Sequence, residues 1–187
     1  TGQWSITYNS NPGNGLSITA DYNYYPGLPI VGIENFYAST GSQQLCAFNT
    51  RRMHTYDPTQ GIFVDRTGSD LWTGSEGEYF WCENWQDKLF ITNNVDRLRT
   101  WDGSTIATPD IEFEGGSPGN QLDTCLLIFA YKGHLLLLRT TESGAVHPQR
   151  ARWSKAGAPL DFTNDGYVDA PSLDWIMGAE FLGDDLV

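Results

Sequence analysis

Carboxylates are the commonest chemistry-bearing side chains in this chain, so their spacing is the first thing to test. The run from Asp161 through Thr163, Asp165 and Gly166 to Asp169 partly matches a calcium loop, with Asp at the first and fifth positions and Gly at the sixth. The twelfth position, where such a loop carries a bidentate Glu, is Ser172, so the expectation is an acidic turn without a metal. Glu76, Glu78, Glu83, Glu112 and Glu114 flank apolar stretches or lie in loops. No spacing among them singles out a glycosidase pair, because two carboxylates about 5–9 Å apart can come from any two elements. His54, His134 and His147 are too scattered for a local metal motif. No GxSxG elbow is present. Neither Gly115–Asn120 nor Gly144–Val146 opens a helix or leads to Lys-Ser/Thr, so phosphate cradling is not expected. The reading is a protein without catalytic, cofactor-binding or metal residues.

The aromatics are better suited to contact than to chemistry. Tyr22, Tyr24 and Tyr25 cluster beside Pro26-Gly27-Leu28-Pro29, where the prolines end a sheet, and form the expected contact surface. Trp81 and Trp85 flank Glu83 and fall on one face of a strand, which points to a core role. Cys46, Cys82 and Cys125 each sit in apolar or aromatic company and read as buried reduced thiols.

Composition narrows the class. With 23 acids against 11 bases, the chain carries a net charge of −12. That balance argues against gripping nucleic acid, which needs clustered Lys and Arg. No apolar run reaches the length of a membrane-spanning helix, and no membrane partner is expected. The charge is unevenly placed: all 11 bases fall within residues 51–155, whereas residues 156–187 hold seven acids and no base. Such a segment is either a solvated face or a surface that repels an anion or meets a basic partner.

Stepping along the chain, residues 1–27 read as an N-terminal β-hairpin module. Residues 3–8 and 16–24 alternate polar with apolar around a loop rich in Asn, Gly and Pro. After the proline-rich linker the chain repeats itself. A Leu-led strand begins at Leu45, Leu89, Leu135 and Leu186, spaced 44, 46 and 51 residues apart. An aromatic before a turn recurs at Tyr56, Trp101 and Trp153. Asp57 and Asp102 follow the first two and suit a side-chain-held turn. The third strand of a unit is expected to alternate, with Arg97 and Arg99 out and Leu98 and Trp101 in. Four short strands at this period are the signature of a propeller blade. Residues 28–187 are therefore read as an all-β partial propeller, with four-stranded antiparallel blades at about 30–67, 78–111 and 123–163 and half a blade at 173–187. The third blade is expected to end on Leu160–Thr163. About three and a half blades fall short of the usual four to eight, so the chain is expected to be an excerpt of a longer one.

The ordered series carries a resemblance. Leu89-Phe90-Ile91-Thr92-Asn93 leads to Trp101-Asp102-Gly103, Arg150-Ala151-Arg152-Trp153-Ser154 leads to Asp161-Phe162-Thr163, and Phe181-Leu182-Gly183-Asp184-Asp185-Leu186-Val187 closes it. Together these resemble the β-propeller tail nozzle, tubular tail or packaged-DNA-stabilisation proteins of short-tailed bacteriophages. The resemblance implies a structural virion protein, assembled in the bacterial cytoplasm, that forms a homo-oligomeric ring, hexameric in such families. The ring would join portal, adaptor and other tail proteins and let DNA pass in transit, without catalysis. The alternatives are a carbohydrate-binding or glycan-cleaving propeller used in host attachment and a free-standing scaffold.

Overall fold

The computed structural model describes residues 27–113, 121–163, 166–171, 174–182 and 184–186. The residue 1–26 portion of the hairpin reading, with Tyr22, Tyr24 and Tyr25, lies outside the described residues. The fold is all-β, with four antiparallel sheets of two to four strands and, among the described residues, no helix.

Each of the first three sheets is a meander whose strands pair in chain order. The first comprises β1 (Ile30–Tyr37), β2 (Gln43–Asn49), β3 (Met53–Asp57) and β4 (Ile62–Asp65). The second comprises β5 (Trp81–Trp85), β6 (Lys88–Thr92), β7 (Arg99–Trp101) and β8 (Ile106–Ala107). The third comprises β9 (Leu122–Tyr131), β10 (His134–Glu142), β11 (Ala145–Trp153) and β12 (Gly166–Asp169). A short hairpin of β13 (Phe181–Leu182) and β14 (Asp185–Leu186) follows.

Local chemistry explains the meanders. The Gln86-Asp87, Lys132-Gly133 and Ser143-Gly144 turns have positive φ at both residues. That is the two-residue geometry whose twist matches the flanking strands. Asp57 Oδ1 accepts the amide of Thr59 at 2.8 Å, and Asp102 Oδ1 accepts those of Ser104 and Thr105 at 2.8 and 2.7 Å. Both aspartates thus hold their turns as the sequence indicated.

The sheets stack face to face in chain order. Phe36, Cys46, Phe48, Met53 and Trp72 meet Leu89, Ile91 and Trp101 between the first and second sheets. Phe90 and Leu98 meet Cys125, Ile128, Leu135 and Leu137 between the second and third. Leu127, Phe129 and Leu138 on the far face of the third sheet pack against Ile176, Ala179 and Leu186. The first strands also touch: Phe80, just before β5, donates its amide to Val31 O. A Cβ on Gly32 would lie 2.8 Å from Phe80 Cβ, so only glycine allows this approach.

Three details differ from the sequence reading. The last strand of the third sheet is Gly166–Asp169, not Leu160–Thr163, because Lys155, Ala158 and Asp161 close tight backbone turns there. Residues 175–179, inside the half blade expected at 173–187, pack on the third sheet without ladder pairing. Trp153 is not equivalent to Trp101. Leu89 pairs with Trp101, whereas Trp153 pairs with Leu136 rather than Leu135 and so takes the opposite face of its sheet.

The interface between the first two sheets gives a direct test. Phe48 is fully buried, stacked on Phe80 at 4.8 Å and edge-on to Trp72 at 6.2 Å. Phe48→Ala should lower the unfolding free energy by about 3–5 kcal/mol in urea titrations.

Candidate functional site

Few of the residues singled out for chemistry come together. His54 lies in β3, His134 opens β10 with Nδ1 2.6 Å from Ser154 O, and His147 lies in β11. Among the described residues, no group of three His, Cys, Asp or Glu side chains could hold a metal ion. The two described ends of the calcium-like run are committed elsewhere. Asp161 accepts Lys155 Nζ at 2.8 Å and the Thr163 hydroxyl at 2.6 Å. The lysine, the threonine and the Thr163 amide lower its pKa to about 2. Asp169 takes a fork from Arg150, Nε at 2.8 Å and Nη2 at 2.9 Å, which also lowers its pKa. Two of the seven C-terminal acids are thus matched by bases from earlier in the chain. Asp165 and Glu114 lie outside the described residues.

The thiols are inert. Burial raises Cys46 and Cys125 to about 12, and burial with the nearby Glu34 charge raises Cys82 well above its ordinary value. All three cysteines are free. Trp81 and Trp85 pack against the second core cluster, and Trp81 Nε1 donates to Ile128 O at 2.7 Å.

What the sequence reading missed is a set of buried arginines. Arg99, expected to point outward, is only 3% exposed. Its guanidinium lies 4.2 Å from the Trp72 ring centroid, donates to Asp70 O and Leu71 O, and pairs with Asp70 at 3.3 Å. A sheet held between two others has no solvent face, so alternation no longer separates in from out. In the third sheet Glu142 receives the fork of Arg152 and a single bond from Arg150. Arg152 donates to Oε1 at 3.0 Å and Oε2 at 2.7 Å, and Arg150 donates to Oε2 at 3.0 Å. Tyr167 lies 3.9 Å from the Arg150 guanidinium, and Phe113 lies 3.7 Å from that of Arg152. Burial alone would raise the Glu142 pKa, but Arg152, Thr140 and Arg150 outweigh it and hold it low. The Arg-x-Arg spacing on β11 was the available signal. The network ties β10, β11 and β12 together and has no open coordination for chemistry.

Glu83 is perturbed in the opposite direction from Asp161. It sits in β5 between Cys82 and Asn84, opposite Phe90 on β6. Burial raises its pKa to about 7, a backbone bond involving Ala130 opposes this, and Glu34 on β1 adds to it.

Two of the open surfaces among the described residues stand out by their lining. The outward face of the first sheet carries Ile33, 67% exposed, with Tyr37, Tyr56 and Phe63. Beside it, Leu28, His54, Phe63, Arg52 and Asp65 line a hollow of about 430 Å³. The second is a cleft of about 470 Å³ between the second and third sheets, with Tyr79, Trp81, Asn94, Arg139 and Met177 on its walls.

No family model, curated protein or solved structure matches this chain.

Two titrations follow with opposite signs. Glu83 has a folded pKa above its unfolded value near 4.5, so its contribution is full below about 4.5 and is lost as pH rises through about 7. The stability of Glu83→Gln relative to the parent should therefore rise across that window in urea titrations. Glu142 is lowered, so its contribution is present above its unfolded pKa and is lost as pH falls through its folded one. Near neutral pH, Glu142→Gln should destabilise by about 1–3 kcal/mol, because it weakens the charge-assisted hydrogen bonds that Arg152 and Arg150 donate to Glu142.

Proposed function

We propose that this chain is a structural component of a phage tail nozzle, a propeller-like wall in an oligomeric ring through which DNA leaves the particle. The observation that carries the reading is the register of the stacked sheets. Leu89 and Trp101 are buried against the first sheet, Leu135 against the second, and Leu186 against the third. The corresponding Leu45 and Tyr56 point away from the second sheet, on the face that carries Ile33 and Phe63. A sheet series of this kind is completed when an equivalent sheet covers that face, which is how blades succeed one another in a propeller.

The mechanism is geometric. Stacked sheets with aromatic seams make a stiff wall, and no group in it needs to react. The acids after residue 156 that form no ion pair among the described residues, Glu180 and Asp184 among them, suit a surface facing DNA, because like charge keeps the phosphate backbone from sticking. Portal, adaptor and neighbouring tail proteins are the partners of this reading, the virion is its location, and a six-fold ring is its expected symmetry.

The exposed face supplies the test. Ile33→Asp with Phe63→Asp places two charges on a surface that is open in the single chain, so monomer stability should change by less than about 1 kcal/mol. Sedimentation velocity of the parent protein should show a ring-sized species, and the double variant should shift it to the monomer. A parent protein that stays monomeric at high concentration, alone and with its tail partners, contradicts the reading.

A further inference from the structure

The cleft between the second and third sheets has the marks of a ligand site. Six non-glycine residues have positive φ among those described. Four of them, Gln86, Asp87, Lys132 and Ser143, sit in two-residue hairpin turns that require it. The other two, Asn94 at 60° in the β6–β7 connection and Arg139 at 53° within β10, both line this cleft. Left-handed backbone at residues with side chains costs energy and gathers at binding sites. At Arg139 it coincides with a register shift between Leu138 and Thr140, where the ladder is interrupted.

The two side chains are also underused. Arg52, Arg97, Arg99, Arg150, Arg152 and Lys155 each pair with a carboxylate. Among the described residues Arg139 forms no ion pair, as Arg51, Arg66, Lys88 and Lys132 form none, but of these five it alone lines the cleft. Its contacts are the Met177 sulfur, 3.5 Å from Nη1, and the Trp175 ring, 4.6 Å from the guanidinium carbon. The Asn94 backbone amide is bonded to Thr92 Oγ1. Tyr79, 72% exposed, offers a free ring face at the rim.

These groups define a ligand. A single guanidinium fork matches one carboxylate bidentately. Glu78 on the same wall, held ionised by its hydrogen bonds to Ser75, disfavours a second negative charge and so disfavours a phosphate dianion. An amide and a phenol hydroxyl suit hydroxyl groups, and the Tyr79 ring suits a flat C–H surface. We propose that this cleft binds a carboxylate-bearing sugar, a uronic acid unit of an acidic polysaccharide, with its carboxylate on Arg139 and a hydroxyl on Asn94.

The test is calorimetric titration of the full chain with methyl glucuronoside, with methyl glucoside and a dipeptide bearing a free C-terminal carboxylate as comparisons. The expected result is glucuronoside binding at least about tenfold tighter than either comparison, reduced by about tenfold or more in both Arg139→Gln and Asn94→Gly. Urea titration of both variants checks that the fold is intact, and Asn94→Gly should be no less stable because glycine accepts its backbone angle. The inference is overturned if the parent does not bind the glucuronoside, if the neutral glycoside binds equally well, or if Asn94→Gly folds and binds unchanged. Tighter binding of the dipeptide overturns it in favour of a peptide terminus. Any of these outcomes leaves the nozzle reading standing.

Discussion

Burial of sheet faces against neighbouring sheets is the constraint on which the rest depends. A single meander of this size has too little core to stand alone. It becomes stable when its faces are covered, and here the cover is the next sheet in the chain. The second sheet lies between the first and third, with Leu89, Ile91 and Trp101 on one side and Phe90 and Leu98 on the other. Polar bonds fix the seams. Asn84 on β5 accepts the Tyr37 amide and donates to Asn35 O, and Trp101 Nε1 donates to Gln44 Oε1. Asp87, in the β5–β6 turn, accepts both the amide and the hydroxyl of Ser39.

The same constraint explains the arginines. Once both faces are covered, a strand position that would normally reach solvent must be satisfied from within. Arg99 does so with backbone carbonyls, Asp70 and the Trp72 ring, and Arg152 with Glu142 and Phe113. The outer face of the first sheet and the cleft at Arg139 are among the described features that escape this closure. One is apolar and broad, as a protein contact requires; the other is concave, with a few polar groups, as a small ligand requires.

Much of the fold was legible because repeats are hard to disguise. The Leu45, Leu89 and Leu135 strands and the Asp57 and Asp102 turns all lie where spacing put them. Trp153 misled because the third unit is longer between its Leu and its aromatic, and a slip of one residue reverses a side chain's face. Arg99 misled because alternation marks in and out only where one face is wet. The Arg139 site left little trace in sequence, since its signal is backbone conformation at a ladder interruption rather than a motif.

The central claim is that the open face of the first sheet is covered by an equivalent sheet in the assembled protein. Electron microscopy of the purified assembly or of particles carrying it tests this most directly. The account predicts a ring in which density for another four-stranded sheet lies against Ile33, Tyr56 and Phe63, around a channel whose walls are acidic. Particles in which that face meets solvent, or a channel lined by Lys and Arg, would contradict it.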